Sequence, residues 1–417
     1  MRIPVLLLLA ALAASAQHDD ANYDEAKVPT YTLPDPLVLQ NGQPVKTAKT
    51  WNEKRRPELL NLFRTEMYGR RPGKPAHMTF ELVAIDKQAL GGTAIRKEAT
   101  VYFAGKKDGP KMDILIYLPA GATKPVPVFL GLNFGPNQTV SADPGIRLRD
   151  AWVRDGSSKM LVKKASPESS RGTAASRWQV EKILAHGYGL ATVYYGDIEP
   201  DFDGGRQYGV RPMFFAEGPD AGAAIAAWSW GLSRALDYLE TDKQVDAKHV
   251  AVFGHSRLGK TSLWAGAEDT RFAMVISNCS GEGGAALSRR EFGEQPRHLN
   301  RNFPHWFDAN YKKYSDHEAD LPFDQHELIA LIAPRPVYVA TAEDDKWADP
   351  KGQFLAEVAA GPVYELLGKK GLETDQWPGI HQPIMNDMGY HHRAGKHDVT
   401  AYDWDQYLKF ADMHFRR

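Results

Sequence analysis

The chain has 417 residues, of which 43% are hydrophobic, and a formal net charge of −1. A chain this long can build a large core without a disulfide scaffold, and its single cysteine, Cys279, excludes an internal disulfide. The near-zero charge excludes nucleic-acid binding by bulk electrostatics.

Met1-Arg2 opens the chain, followed by an apolar run from Ile3 to Ala13 and by Ala14-Ser15-Ala16 before Gln17. A basic start, a short apolar core and small residues at a cleavage point make an export signal, and the run is too short to span a bilayer comfortably. Residues 1–16 are therefore expected to be removed. Residues 17–417 are expected to form one domain, secreted or periplasmic and free of the membrane. Residues 17–50 are polar and punctuated by Pro29, Pro34, Pro36 and Pro44, as in an extended leader over the surface. Trp51 to Tyr68 has helical apolar spacing. From Met78 the pattern is strand-like over 79–85, 99–103 and 112–118, which predicts an antiparallel opening.

Strands and helices then alternate. Strands are predicted at 126–132, 190–195, 250–253, 272–277, 336–340 and 388–393. Helices are predicted at 178–186, 221–239, 261–267, 352–367, and at the C-terminus from Asp403. This alternation gives a mostly parallel sheet with helices on both faces. Inserts at roughly 136–176 and 280–330 are too long for simple connections, and inserts of that size often shape a binding site.

Gly254-His255-Ser256-Arg257-Leu258-Gly259-Lys260 lies between the strand 250–253 and a helix. Strand, glycine-flanked serine and helix form a nucleophile elbow, which lifts the hydroxyl above the sheet. The general pattern is G-x-S-x-G; here Leu258 stands where the last glycine belongs and Gly259 follows one step later. The alternative is a plain turn with Ser256 capping the helix. Serine is a weak nucleophile that needs a base, and the base needs an orienting carboxylate. In this kind of fold they follow in the order serine, acid, histidine, each in a loop at a strand end. The loop after 336–340 offers Asp345, with Asp344 and Glu282 as alternatives. The loop 394–398 offers His397, whereas His391 and His392 fall on opposite faces of the last strand. His391, His392, His397 and Asp398 match no zinc spacing, and neither metal nor cofactor is expected.

These residues resemble a known family. The 254–260 stretch is similar to the G-C-S-R-x-G-K elbow of glucuronoyl esterases, carbohydrate esterase family fifteen. Lys346-Trp347-Ala348-Asp349-Pro350 and Gly395-Lys396-His397-Asp398 resemble its bacterial branch. The resemblance runs over nearly the whole mature chain and implies an α/β-hydrolase fold. It implies a serine esterase cleaving 4-O-methyl-glucuronoyl esters, thought to link glucuronoxylan to lignin alcohols, through an acyl-enzyme. It further implies that the backbone N–H and guanidinium of Arg257 meet the oxyanion. Lys260 would donate to sugar hydroxyls, Glu294 would accept from them, and Trp347 would cover the sugar. In many relatives the acid lies in an E-S-G-x-G-G stretch. The corresponding Asn278-Cys279-Ser280-Gly281-Glu282-Gly283-Gly284 has Cys279 at that position, so the acid must come from elsewhere, and Asp345 is the natural candidate. The expected partner is a lignin–carbohydrate ester, met by a monomer. The same machinery would also serve an acetyl xylan esterase or another acyl esterase, and a silent carbohydrate-binding protein is the reading from another class.

Overall fold

The computed structural model describes residues 20–154 and 161–416, so the expected signal segment 1–16 lies outside the described residues. Its strands are β1 (Thr79–Gln88), β2 (Ala94–Tyr102), β3 (Lys111–Pro119), β4 (Val126–Asn133), β5 (Asp150–Arg154), β6 (Leu161–Ala165), β7 (Gly189–Tyr194), β8 (Val245–His255), β9 (Met274–Asn278), β10 (Val337–Ala342), β11 (Ile384–Met385) and β12 (Met388–Arg393). All but β5 and β6 join one sheet in the order β1-β2-β3-β7-β4-β8-β9-β10-β12-β11. β1, β2 and β3 are antiparallel, as is β3 to β7. From β7 through β4, β8, β9 and β10 to β12 every pairing is parallel, and β11 closes the edge antiparallel. This is the α/β-hydrolase arrangement.

The main helices are α1 (Arg56–Glu66), α2 (Val180–Ala185), α3 (Ala224–Leu239), α4 (Arg257–Glu268), α5 (Pro350–Leu366) and α6 (Ala401–Phe415). The side-chain period of two sorts the central strands between two cores. Val128, Leu130, Val250, Val252, Val337 and Val339 pack with Leu59 of α1, Trp228 of α3, Trp264 of α4 and Phe354 of α5. Their neighbours Phe129, Ala251, Phe253, Tyr338 and Ala340 pack on the other face with Ile183 of α2 and with Trp404, Tyr407 and Phe410 of α6. β7, β9 and β10 are buried along their whole length, as strands covered on both faces must be.

The expected helix at 178–186 breaks at Gln179, which adopts a left-handed φ of 42°, so only Val180–Ala185 continues. The first insert carries an antiparallel β5–β6 pair whose short strands gave no clear alternation in the sequence. The leader is pinned rather than loose. Leu39 and Val45 enter the main core, and the Asn22 carbonyl accepts from Gly293 N at 2.8 Å. Among the described residues no helix is long and apolar enough to cross a membrane. Parallel strands all point the same way, so the loops after β7, β8, β9, β10 and β12 collect at one rim.

Candidate active site

Ser256 stands between β8 and α4 with φ 59° and ψ −130°, a backbone that costs free energy and persists only where its surroundings enforce it. Two contacts enforce it. A Cβ on Gly254 would lie 1.9 Å from the Leu258 carbonyl oxygen, and one on Gly259 would lie 3.0 Å from Ser280 Cβ and 3.2 Å from Asn278 O. Glycine is thus required at 254 and favoured at 259, whereas Leu258 is buried in the core, which explains why the motif's last glycine is displaced by one. Ser256 N donates to Asn278 O at 2.9 Å, tying the elbow to the end of β9. The hydroxyl makes no capping bond to α4, so the helix-cap reading fails and the oxygen is free for chemistry. Gly254→Ala is expected to drive Cβ into a backbone oxygen that has no room to retreat. It should lower the unfolding free energy by at least about 2 kcal/mol. A urea midpoint equal to that of the parent would refute this account of the turn.

His397 and Asp345 meet at the same rim. His397 Nδ1 lies 2.6 Å from Asp345 Oδ2, leaving Nε2 as the ring nitrogen available to Ser256. Asp345 is buried, while the His397 side chain remains 39% exposed, so this bond and its ring neighbours orient it. One neighbour is His255, whose ring centroid is 4.5 Å away and whose Nδ1 bonds Asn278 Oδ1 at 2.7 Å. Burial, with the charge of His397 adding to it, holds His255 well below the usual histidine range, so it packs as a neutral ring. Ser256, Asp345 and His397 line one cavity of about 320 Å³ together with Arg257, Lys260, Glu294, Phe303, Trp306 and Trp347.

The other acids and histidines are engaged elsewhere. Glu282 is buried and accepts from Ser288 Oγ at 2.7 Å and Tyr311 OH at 2.8 Å, and burial pushes its pKa upward. Asp344 is exposed. His391 bonds Asp403 at 2.8 Å and Tyr338 OH at 3.0 Å, and His392 bonds Glu343 and Thr341, consistent with opposite strand faces. Cys279 is buried, with its sulfur, an Asp345 oxygen and a His397 nitrogen all within 4.8 Å of one another. Burial, and after it the charge of Asp345, pushes the thiol pKa well up, so Cys279 presents S–H rather than thiolate to the acid.

Lys260 and Glu294 form a buried pair at 3.1 Å. The Lys260 ammonium also donates to the carbonyls of Ser280 and Glu282, each at 2.6 Å. Its three protons are thus engaged within the protein, and any further acceptor reaches it only by sharing one of these positions. Glu294 N donates to Trp347 O at 2.8 Å, and the Trp347 ring packs 5.1 Å from His298. Sequence reasoning missed the surroundings of Arg257. Its guanidinium pairs with Asp201, from the loop after β7, and lies 4.8 Å from the Trp306 ring centroid. The available signal was an acidic residue just past a parallel strand, together with the aromatic run Phe303-Pro304-His305-Trp306-Phe307 inside the second insert.

A family model described as glucuronyl esterase of fungi matches residues 188–368. A carbohydrate esterase from an unknown prokaryotic organism is 54% identical over 404 residues, 96% of this chain and 93% of its own. The 4-O-methyl-glucuronoyl methylesterase of Schizophyllum commune is 29% identical, over 87% of this chain and 81% of its own. The solved structure of a glucuronoyl esterase from Solibacter usitatus superposes with a TM-score of 0.90 at 58% identity, covering 94% of this chain and all of that one.

Proposed function

We infer that this chain, which belongs to the glucuronoyl esterase family and is a carboxylic ester hydrolase, cleaves 4-O-methyl-glucuronoyl esters through a Ser256–His397–Asp345 relay. The observation that carries the relay is the 2.6 Å contact between His397 Nδ1 and Asp345 Oδ2 in the cavity that also holds Ser256. His397 Nε2 takes the Ser256 proton as Oγ bonds to the ester carbon, and the carbonyl electron pair moves onto oxygen. Asp345 fixes the tautomer and balances the imidazolium. The Arg257 backbone N–H and guanidinium receive the oxyanion. The C–O bond to the alcohol breaks as His397 returns the proton to it, and water repeats the sequence on the acyl-enzyme. The uronate hydroxyls fall to Glu294, held by Lys260, with Trp347 along the sugar face. The natural ester is proposed to join glucuronoxylan to a lignin alcohol. We take 17–417 as one monomeric domain, exported by its leader.

The decisive experiment compares benzyl esters of glucuronate and galacturonate with a simple acetyl ester. A kcat/KM for glucuronate at least about tenfold above galacturonate is expected, because buried polar groups reject a hydroxyl that is out of place. Equal values would overturn the substrate assignment. Lys260→Met and Glu294→Gln are each expected to raise KM for the glucuronate ester about tenfold or more, with KM for p-nitrophenyl acetate changed less than about twofold. A parallel rise on both substrates would remove the two residues from sugar recognition.

A further inference from the structure

The Asp201 carboxylate collects four donors on its two oxygens. Oδ1 accepts from His305 Nε2 at 2.8 Å and Trp306 Nε1 at 2.7 Å; Oδ2 accepts from Tyr195 OH at 3.0 Å and from Arg257 Nη1. Its side chain is 4% exposed. Burial favours the protonated acid, yet the bond from His305 and the charge of Arg257 outweigh it, and the group stays below the usual carboxylate range. Arg257 itself is caged. Its guanidinium lies 4.8 Å from the centroid of Trp306, 5.5 Å from Phe134 and 5.6 Å from Phe303. The Phe303 and Trp306 rings stack at 3.8 Å with an angle of 5° between their planes, so they form a rigid wall. Arg257 Nε–H is buried and finds no acceptor among the described residues.

These contacts divide the guanidinium by function. Rings bound its faces, one edge is tied to Asp201, Nε–H remains unspent, and Arg257 lines the same cavity as Ser256. An arginine stem has several rotatable bonds and would sample many positions if the tie were removed, whereas preorganised donors are effective because they need no rearrangement as charge develops. We propose that Asp201 is a positioning residue, which anchors Arg257 so that its free N–H groups meet the oxyanion formed on attack by Ser256. His305 and Trp306 serve by holding the anchor itself. The proposal rests on the reading of Arg257 as an oxyanion donor. It does not depend on which acyl group the enzyme accepts.

The test is a double-mutant cycle of Asp201→Asn and Arg257→Ala, read as kcat and KM on both a glucuronate ester and p-nitrophenyl acetate. Asparagine keeps the shape but turns an N–H toward Arg257, so Asp201→Asn should lower kcat about 10- to 100-fold with KM changed less than about threefold, on both esters. In the Arg257→Ala background the same change should cost less than about twofold, since the group it positions is gone. Trp306→Phe, which retains a ring and deletes one bond to Asp201, should reproduce a smaller kcat loss without loss of folding. It keeps the proposal testable if Asp201→Asn fails to fold. Equal kcat losses from Asp201→Asn with and without Arg257, or an unchanged kcat in Trp306→Phe, would overturn it. If wild type turns over p-nitrophenyl acetate but no glucuronate ester, the substrate assignment falls, and the cycle on p-nitrophenyl acetate still decides the role of Asp201.

Discussion

Ser256→Ala should lower kcat on a glucuronate methyl ester by about 10⁵-fold and leave KM within a few-fold, since losing a serine nucleophile removes the covalent route and leaves oxyanion stabilisation and binding. The side chain plays no part in holding the elbow. Its hydroxyl caps nothing, and the turn is fixed by the close approaches at Gly254 and Gly259 and by the bond from Ser256 N to Asn278 O. Alanine meets the same backbone demand as serine, so the thermal midpoint should stay within about 2 °C of wild type. Stopped assays with and without a serine-directed phosphonate, beside a thermal melt, check both halves. A variant with more than about 1% of wild-type kcat would remove Ser256 as nucleophile.

Asp345→Asn should cost about 10³- to 10⁴-fold in kcat. The contact at His397 Nδ1 requires an acceptor, and an asparagine amide can turn its own N–H toward that nitrogen instead. The ring would then carry its proton on Nε2, with no ring nitrogen left to accept one from Ser256. His397 is too exposed for packing alone to correct its orientation. The buried Cys279 beside it offers S–H, which cannot balance an imidazolium as a carboxylate does. Asp344→Asn is the control. That residue is exposed, and its loss should change kcat less than about twofold. Comparable losses at 344 and 345 would return the choice of acid to an open question.

The alternation of apolar runs was enough to place the strands on which the chemistry depends, because strands buried on both faces leave a near-continuous apolar signature, as in β7 and β10. Chain order then paired His397 with an acid at the right strand end. Asp201 and His305-Trp306 stayed hidden because they meet Arg257 from sequence positions 56 and about 50 residues away, and no local period marks such a meeting. The engagement of all three Lys260 protons was likewise invisible, since two of its acceptors are main-chain carbonyls that any residue would supply. The departure at Leu258 looked like a weakened motif. It proved to be a spacing question, settled by where the main chain crosses Gly254.

Arg257 and Lys260 each come to the cavity already matched, one to Asp201 and the other to Glu294. Ester cleavage admits an uncharged molecule and must discharge an anion from the same spot. A bare cation about 4 Å from the departing acid, at an effective dielectric of about 20, would retain it by about 4 kcal/mol, roughly a thousandfold in dwell time. Local neutrality removes that trap, so the exit of the uronate need not limit turnover.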